Sequence, residues 1–261
     1  MDILAAITPL SVVSGFIVGL LVGLTGVGGG SLMTPLLILL FGVHATTAVG
    51  TDLLYAAATK GAGSITHGLR KTVDWQITAR LAAGSLPGAV LTIGALYRFG
   101  ITGGASPRLI TMTLGVALLA SAAAVLARPW IRRMTDRHAT RKRATVPLTV
   151  AAGFILGVLV TISSVGAGAL GMVMLVCLYP GVRLVRLVGS DIAHAVPLTL
   201  VAGLGHWLLG SVDWGLLMSL LLGSVPGITL GSHMSARLPE RILRPVLAAV
   251  LVVVGLRMLS V

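Results

Sequence analysis

The chain has 261 residues, 56% hydrophobic and only 10% charged, with a formal net charge of +12 and a mean hydropathy of +1.03. So little polar material cannot coat a water-soluble domain of this length, which leaves an integral membrane protein. The basic residues stand mostly in short connections between apolar runs, a distribution that follows membrane topology and argues against a nucleic-acid partner. A single cysteine, Cys177, excludes an internal disulfide and a multi-thiolate metal site within one chain.

The first ten residues, "MDILAAITPL", carry no basic region and no small-residue cleavage site, so the first apolar segment is expected to be retained. An apolar run over 10–42 follows, broken near its middle by the glycines of "GLTGVGGGSL", and after it come three predicted spans at 46–66, 75–98 and 107–127. The stretch "RPWIRRMTDRHATRKRA" holds seven basic residues against one acid, Asp136, and the positive-inside rule makes it a cytoplasmic linker. A second broken run, 146–179, precedes spans at 187–208, 214–235 and 242–260. The expected division is a first transmembrane repeat over 1–127, a basic linker over 128–145 and a second repeat over 146–261.

The two halves are copies. "GFIVGLLVGLTGVGGGSL" from Gly15 returns as "GFILGVLVTISSVGAGAL" from Gly153, with ten identities at an offset of 138. At an offset of 139 the pairing continues: "VGTD" with "VGSD", His67 with His206, "VDW" with "VDW" and "GSLPG" with "GSVPG". A continuous helix of 33 residues would extend about 50 Å, well beyond a hydrocarbon core of roughly 30 Å, so each broken run is expected to double back as a re-entrant hairpin. Doubling back inverts the second half relative to the first, moves Arg183, Arg186, Arg237, Arg241 and Arg244 to the side of the linker, and satisfies the positive-inside rule better than a crossing run. The predicted architecture is therefore all-α, two inverted repeats of one helical hairpin and three transmembrane helices each, with both termini outside. Trp75, Tyr97, Trp130, Tyr179, Trp207 and Trp214 fall at predicted span ends, where amphipathic rings favour the headgroup zone, and Tyr55 lies well inside a span.

Non-helical backbone at membrane depth is tolerated only where protein or a water-filled cavity satisfies its amides, so the breaks mark a candidate site. At the first tip Thr25, Gly26, Gly28, Gly29, Gly30 and Ser31, and at the second Ser163, Ser164, Gly166 and Gly168, offer backbone N–H groups, hydroxyls and the positive ends of helix dipoles, which suit an anion. Thr51 and Ser190 are further expected donors, and the expected pocket is neutral and donor-rich. The alternative for the glycines is close helix packing, strongest for the ridge of Gly15, Gly19 and Gly23; no Lys-Ser or Lys-Thr follows to make a nucleotide loop. Asp52 and Asp191 are costly at membrane depth and either couple or gate transport by taking a proton or cap neighbouring donors. His194 either relays protons or is a hydrogen-bonded interior histidine, and Lys60 either charges the anion site or snorkels to the inner surface, the latter being expected. Asp74 and Asp213 are expected helix caps, Pro87 and Pro226 kinks or hinges, and Cys177 a packing residue. His67 and His206 are expected near opposite surfaces, too far apart to share a metal. No nucleophile with an adjacent base and no metal-ligand set can be assembled, so neither an enzyme nor a bound cofactor is expected.

As a set, "GLLVGLTGVGGGSLMTPLL", the following "GTD", the tryptophan opening the next span and "GSLPGAVLTIGA", recurring in the second half, resemble the TauE/SafE sulfite exporter family, the toluene sulfonate uptake permease group. That resemblance covers nearly the whole chain and implies a secondary carrier, an exporter of sulfite or an organosulfonate in a bacterial or archaeal inner membrane. The second half departs from the glycine-rich pattern by offering hydroxyls in "SSVGAGAL". A passive anion channel and an intramembrane sulfur-transfer partner using Cys177 are the competing readings.

Overall fold

The structure is a computed structural model that describes residues 9–25, 30–99, 107–135, 145–235 and 240–260. Among the described residues there are ten helices and no strand: α1 (Pro9–Thr25), α2 (Gly30–Leu39), α3 (Ala45–Leu69), α4 (Trp75–Arg98), α5 (Pro107–Thr135), α6 (Thr145–Ser163), α7 (Ala169–Leu178), α8 (Leu184–Leu208), α9 (Trp214–Ser235) and α10 (Glu240–Ser260). Five segments, in α4, α5, α6, α8 and α9, are long and apolar enough to cross a membrane. Helix α3, at 25 residues, also has the length, but Asp52, Lys60 and its small residues dilute its hydropathy. The expected spans reappear within a few residues, except that α5 runs eight residues past position 127 and takes the start of the expected linker into the helix.

Polarity is reversed relative to a soluble protein. Asp52, Lys60, Ser85, Ser190, Asp191 and His194 are buried, whereas Val90, Leu91, Val116, Val253 and Leu256 face outward. An apolar exterior belongs in lipid, and the polar groups turn inward where other groups can satisfy them. Trp75, Tyr97, Trp130, Trp207 and Trp214 are exposed near helix ends, and the rings of the last two meet edge to face at 5.7 Å.

The halves interlock through glycines. A Cβ at Gly15 would overlap the backbone of Leu220, and one at Gly19 that of Ser224, so α1 and α9 advance together, in parallel and in backbone contact. The repeat equivalents do the same: Gly153 lies against Leu81 and Gly157 against Ser85, which makes α6 parallel to α4. Gly84 and Gly223 complete each ridge from the other side, against Val150 and Val12. Gly15 and Gly19 thus fill the packing role expected of the ridge, at small-residue contacts typical of helices in lipid. Helices α3 and α8 run in opposite directions, since Leu54 lies against Gly203 and Ile192 against Gly63; α5 and α10 do likewise through Gly115 with Leu259 and Leu119 with Gly255.

Two reciprocal ties fix the ends of α3 and α8. The Asp213 amide donates to Thr51 Oγ1 at 3.0 Å, and the Asp74 amide donates to Ser190 Oγ at 2.8 Å. Each aspartate then caps the helix it precedes: Asp74 Oδ1 accepts from the amides of Gln76 and Ile77, and Asp213 Oδ1 from that of Leu216. Asp74 also lies 3.9 Å from Arg186. Pro87 and Pro226 sit inside uninterrupted helices.

Candidate functional site

The second broken run doubles back on itself. Leu156, in the middle of α6, shares a buried cluster with Met172, Leu175 and Val176 of α7, and Thr149 near the start of α6 is 2.8 Å from the hydroxyl of Tyr179, just past the end of α7. The tip between them is held by its own chain. Ser164 takes a left-handed backbone conformation (φ 57°), and Gly166 and Gly168 have φ of 119° and 139°, where a side chain is strained. Ser163 Oγ donates to the Leu159 carbonyl at 2.7 Å and accepts from the Val165 amide at 3.2 Å, so this hydroxyl is engaged by the turn. Ser163, Ser164, Val165 and Ala167 are all buried, which closes the tip from outside.

At the first break α1 ends on Thr25 and α2 begins at Gly30. Gly26, Gly28 and Gly29 lie outside the described residues, as do the side chains of Thr25 and Ser31. From α2 the hydroxyl of Thr34 donates to Asp52 Oδ2 on α3. Ser164 of the other tip interacts with the same carboxylate, but neither Ser164 Oγ nor Asp52 Oδ1 has a hydrogen-bond partner of normal geometry among the described residues. Asp52 therefore stands between an element of the first hairpin and the tip of the second.

Asp191 occupies the repeat-equivalent position on α8 with a different environment. Its Oδ1 fills the space that a side chain at Gly171 of α7 would need, and that oxygen has no hydrogen-bond partner among the described residues. Its charged neighbours are Lys60 and Arg128. Lys60 is only 8% exposed, donates from Nζ to the Ala167 carbonyl at 2.7 Å, and interacts with both Asp191 and Asp52. The expectation that Lys60 snorkels outward is overturned: its ammonium turns inward to the tip carbonyl, in the electrostatic field of two buried carboxylates that lie beyond ion-pair distance, and an isolated buried ammonium would be far costlier. The second tip is consequently faced by a buried ammonium bonded to its carbonyl and by two buried carboxylates in that ammonium's field, in contrast to the neutral donor set expected from the tips.

His194 Nε2 lies 2.8 Å from Ser85 Oγ, which places an α8 histidine against α4. Its repeat equivalent is Tyr55, which interacts with Ser224, itself the equivalent of Ser85. Sequence reasoning set Tyr55 aside as an exception, although the offset of 139 that pairs the aspartates pairs these residues too. It also missed Thr34, for which the repeat gives no signal because Met172 stands opposite at an offset of 138. Thr51 and Ser190, expected as ligand donors, accept the amides of Asp213 and Asp74 in the ties between halves, and Ser190 Oγ donates to the Arg186 carbonyl at 2.8 Å. His67 lies 2.8 Å from Thr72 Oγ1, while His206 bonds the Thr161 carbonyl at 2.9 Å beside a narrow crevice lined by Thr46, Val49, Ile162 and Ser211. No cluster of side chains suited to a metal occurs among the described residues, and Cys177 is on an exposed face of α7.

A closed polar cluster at the break of an apolar helix can exchange a proton or hold an ion, and comparison with known proteins gives this chemistry a setting. Residues 11–258 match the family described as "Sulfite exporter TauE/SafE". The chain is 38% identical over 254 residues to the probable membrane transporter protein YjnA of Bacillus subtilis, covering 95% of this chain and 98% of that one. It is 25% identical over 245 residues to a second Bacillus subtilis relative, the probable membrane transporter protein YdhB, with coverage of 94% and 97%. A probable membrane transporter protein of the archaeon Methanocaldococcus jannaschii is 25% identical over 268 residues, with coverage of 96% and 95%. No solved structure matches the chain. These similarities and the five apolar helices make the chain a multi-pass membrane transporter.

Proposed function

The chain belongs to the TauE/SafE sulfite exporter family, and on that premise we propose that it exports a small sulfur-containing anion, sulfite or an organosulfonate, through a site between its two hairpin tips. Gly26, Gly28, Gly29, Gly30, Thr25 and Ser31 form one wall in this reading, and Ser164, Gly166 and Gly168 the other. The observation that carries it is the buried cluster of Lys60, Asp52 and Asp191 at the second tip. The antiparallel α3–α8 and α5–α10 pairs support two halves inverted about an axis in the membrane plane, the arrangement in which broken helices of secondary transporters meet near the midplane.

Two carboxylates beside the tip repel an anion unless at least one takes a proton. Anion binding and protonation at Asp52 or Asp191 therefore favour each other, which links export to a proton gradient. Lys60, Thr34, Ser164, Gly171 and Arg128 surround these carboxylates and set that link. The buried tip favours a carrier, which exposes its site to one side at a time, over a passive channel. In proteoliposomes loaded with radiolabelled sulfite, efflux is expected to respond to an imposed pH gradient. Gly30→Leu is expected to abolish it while the purified variant keeps its helical circular dichroism. Unchanged efflux from that variant would retire the first wall of the site.

A further inference from the structure

We propose that Lys60 is the cationic anchor of the anion site, and that its ammonium leaves the Ala167 carbonyl to bind the transported oxyanion directly. This rests on the reading of the chain as an anion exporter. The bond to Ala167 joins α3 of the first half to the tip of the second, across 107 positions of sequence. A neutral carbonyl is a weaker acceptor for an ammonium than an anionic oxygen, so an arriving sulfite or sulfonate competes well for Nζ. The neighbourhood carries an acceptor oxygen without a partner, Asp191 Oδ1, and a loosely matched pair, Ser164 Oγ and the Asp52 carboxylate, whose Oγ and Oδ1 make no hydrogen bond of normal geometry among the described residues, all on buried residues. Polar atoms of this kind are rare in a settled interior, and the two carboxyl groups lie in the field of the Lys60 ammonium, where a proton on either would turn it into a donor to an oxyanion.

The repeat sharpens the assignment. The equivalent of Lys60 is Thr199, whose hydroxyl donates to the Ala195 carbonyl of its own helix at 2.8 Å. The ties through Thr51 and Ser190 are duplicated by the repeat, whereas the Lys60 bond occurs once and stands outside that duplicated scaffold. A single ammonium fits one anion per cycle. Once Lys60 changes partner, the turn from Ser164 to Gly168 loses its hydrogen bond to α3 and keeps only the interaction of Ser164 with Asp52, which couples arrival of the anion to movement of the second tip.

The test uses the full-length purified protein with sodium sulfite and sodium sulfoacetate as probes, read as thermal stabilisation. Lys60→Gln is expected to weaken the response about tenfold to a hundredfold in concentration, the loss of one charge-assisted hydrogen bond, and Lys60→Arg to restore most of it. The second measurement needs no Lys60 variant. The chain has three lysines, Lys60, Lys71 and Lys142, so carbon-13 labelling at lysine Cε gives three signals, two of them assigned through Lys71→Arg and Lys142→Arg. Sulfite is expected to shift the Lys60 signal alone. An unshifted Lys60 signal in wild-type protein that sulfite does stabilise, or an unchanged response of Lys60→Gln, overturns the anchor while leaving the exporter reading in place. Wild-type protein that neither binds nor transports either probe overturns both.

Discussion

Asp52 and Asp191 occupy equivalent positions in the two halves and live in different surroundings. Asp52 accepts a hydrogen bond from Thr34 of the first hairpin, whereas Asp191 lies against the bare backbone of Gly171 in the second and has Lys60 as its foremost charged neighbour. Around them the packing is repeated nearly residue for residue: α1 with α9 as α6 with α4, Thr51 with Asp213 as Ser190 with Asp74. The scaffold is thus symmetric and the chemistry is not. Backbone packing tolerates little drift, because each half supplies the surface that the other buries. The polar centre can diverge by single substitutions, Thr34 opposite Met172 and Lys60 opposite Thr199, that leave the helices in place.

That contrast can be broken by experiment. The largest difference is expected between Asp191→Asn and Asp52→Asn. The first withdraws a carboxylate whose Oδ1 has no hydrogen-bond partner among the described residues and whose foremost charged neighbour is Lys60, and it is expected to destabilise the more. The second leaves an oxygen that still accepts from Thr34, at a cost of about 1 kcal/mol. Denaturation of the two purified variants in mixed micelles measures this, and equal losses would mean that Lys60 does not distinguish the carboxylates. Next come Gly84→Ala and Gly223→Ala, where each new methyl meets a backbone carbonyl of the other half. Both are expected to destabilise by about 1–3 kcal/mol, and to nearly the same extent. A wide gap between them would show that the two interfaces are unequal. The smallest effects are expected from Thr51→Val and Ser190→Ala, each leaving one interhelical amide short of an acceptor and costing about 1 kcal/mol. Faster amide exchange at Asp213 and Asp74, respectively, would report them.

Much of the candidate site was legible as position and little of it as direction. The pairing of Asp52 with Asp191, and the caps at Asp74 and Asp213, followed from residue type and spacing. Lys60 was misread because an amphipathic stem near a span end can point either way. It stands eight residues after Asp52, about 80° round the helix and about 12 Å along it, which allows an inward course without requiring one. What turns it inward is the Ala167 carbonyl, 107 residues away.

Composition and apolar runs by themselves determined that the chain lives in a membrane as helices, since lipid leaves the backbone no other open way to satisfy its amides. The internal repeat determined that two similar halves exist. Which faces of those halves meet, which hydroxyls are consumed in holding them together, and which of the buried polar groups stay unpaired were decided only in the folded chain. Those are properties of contacts between segments more than a hundred residues apart, and no local pattern encodes the partner that a side chain finds across such a distance.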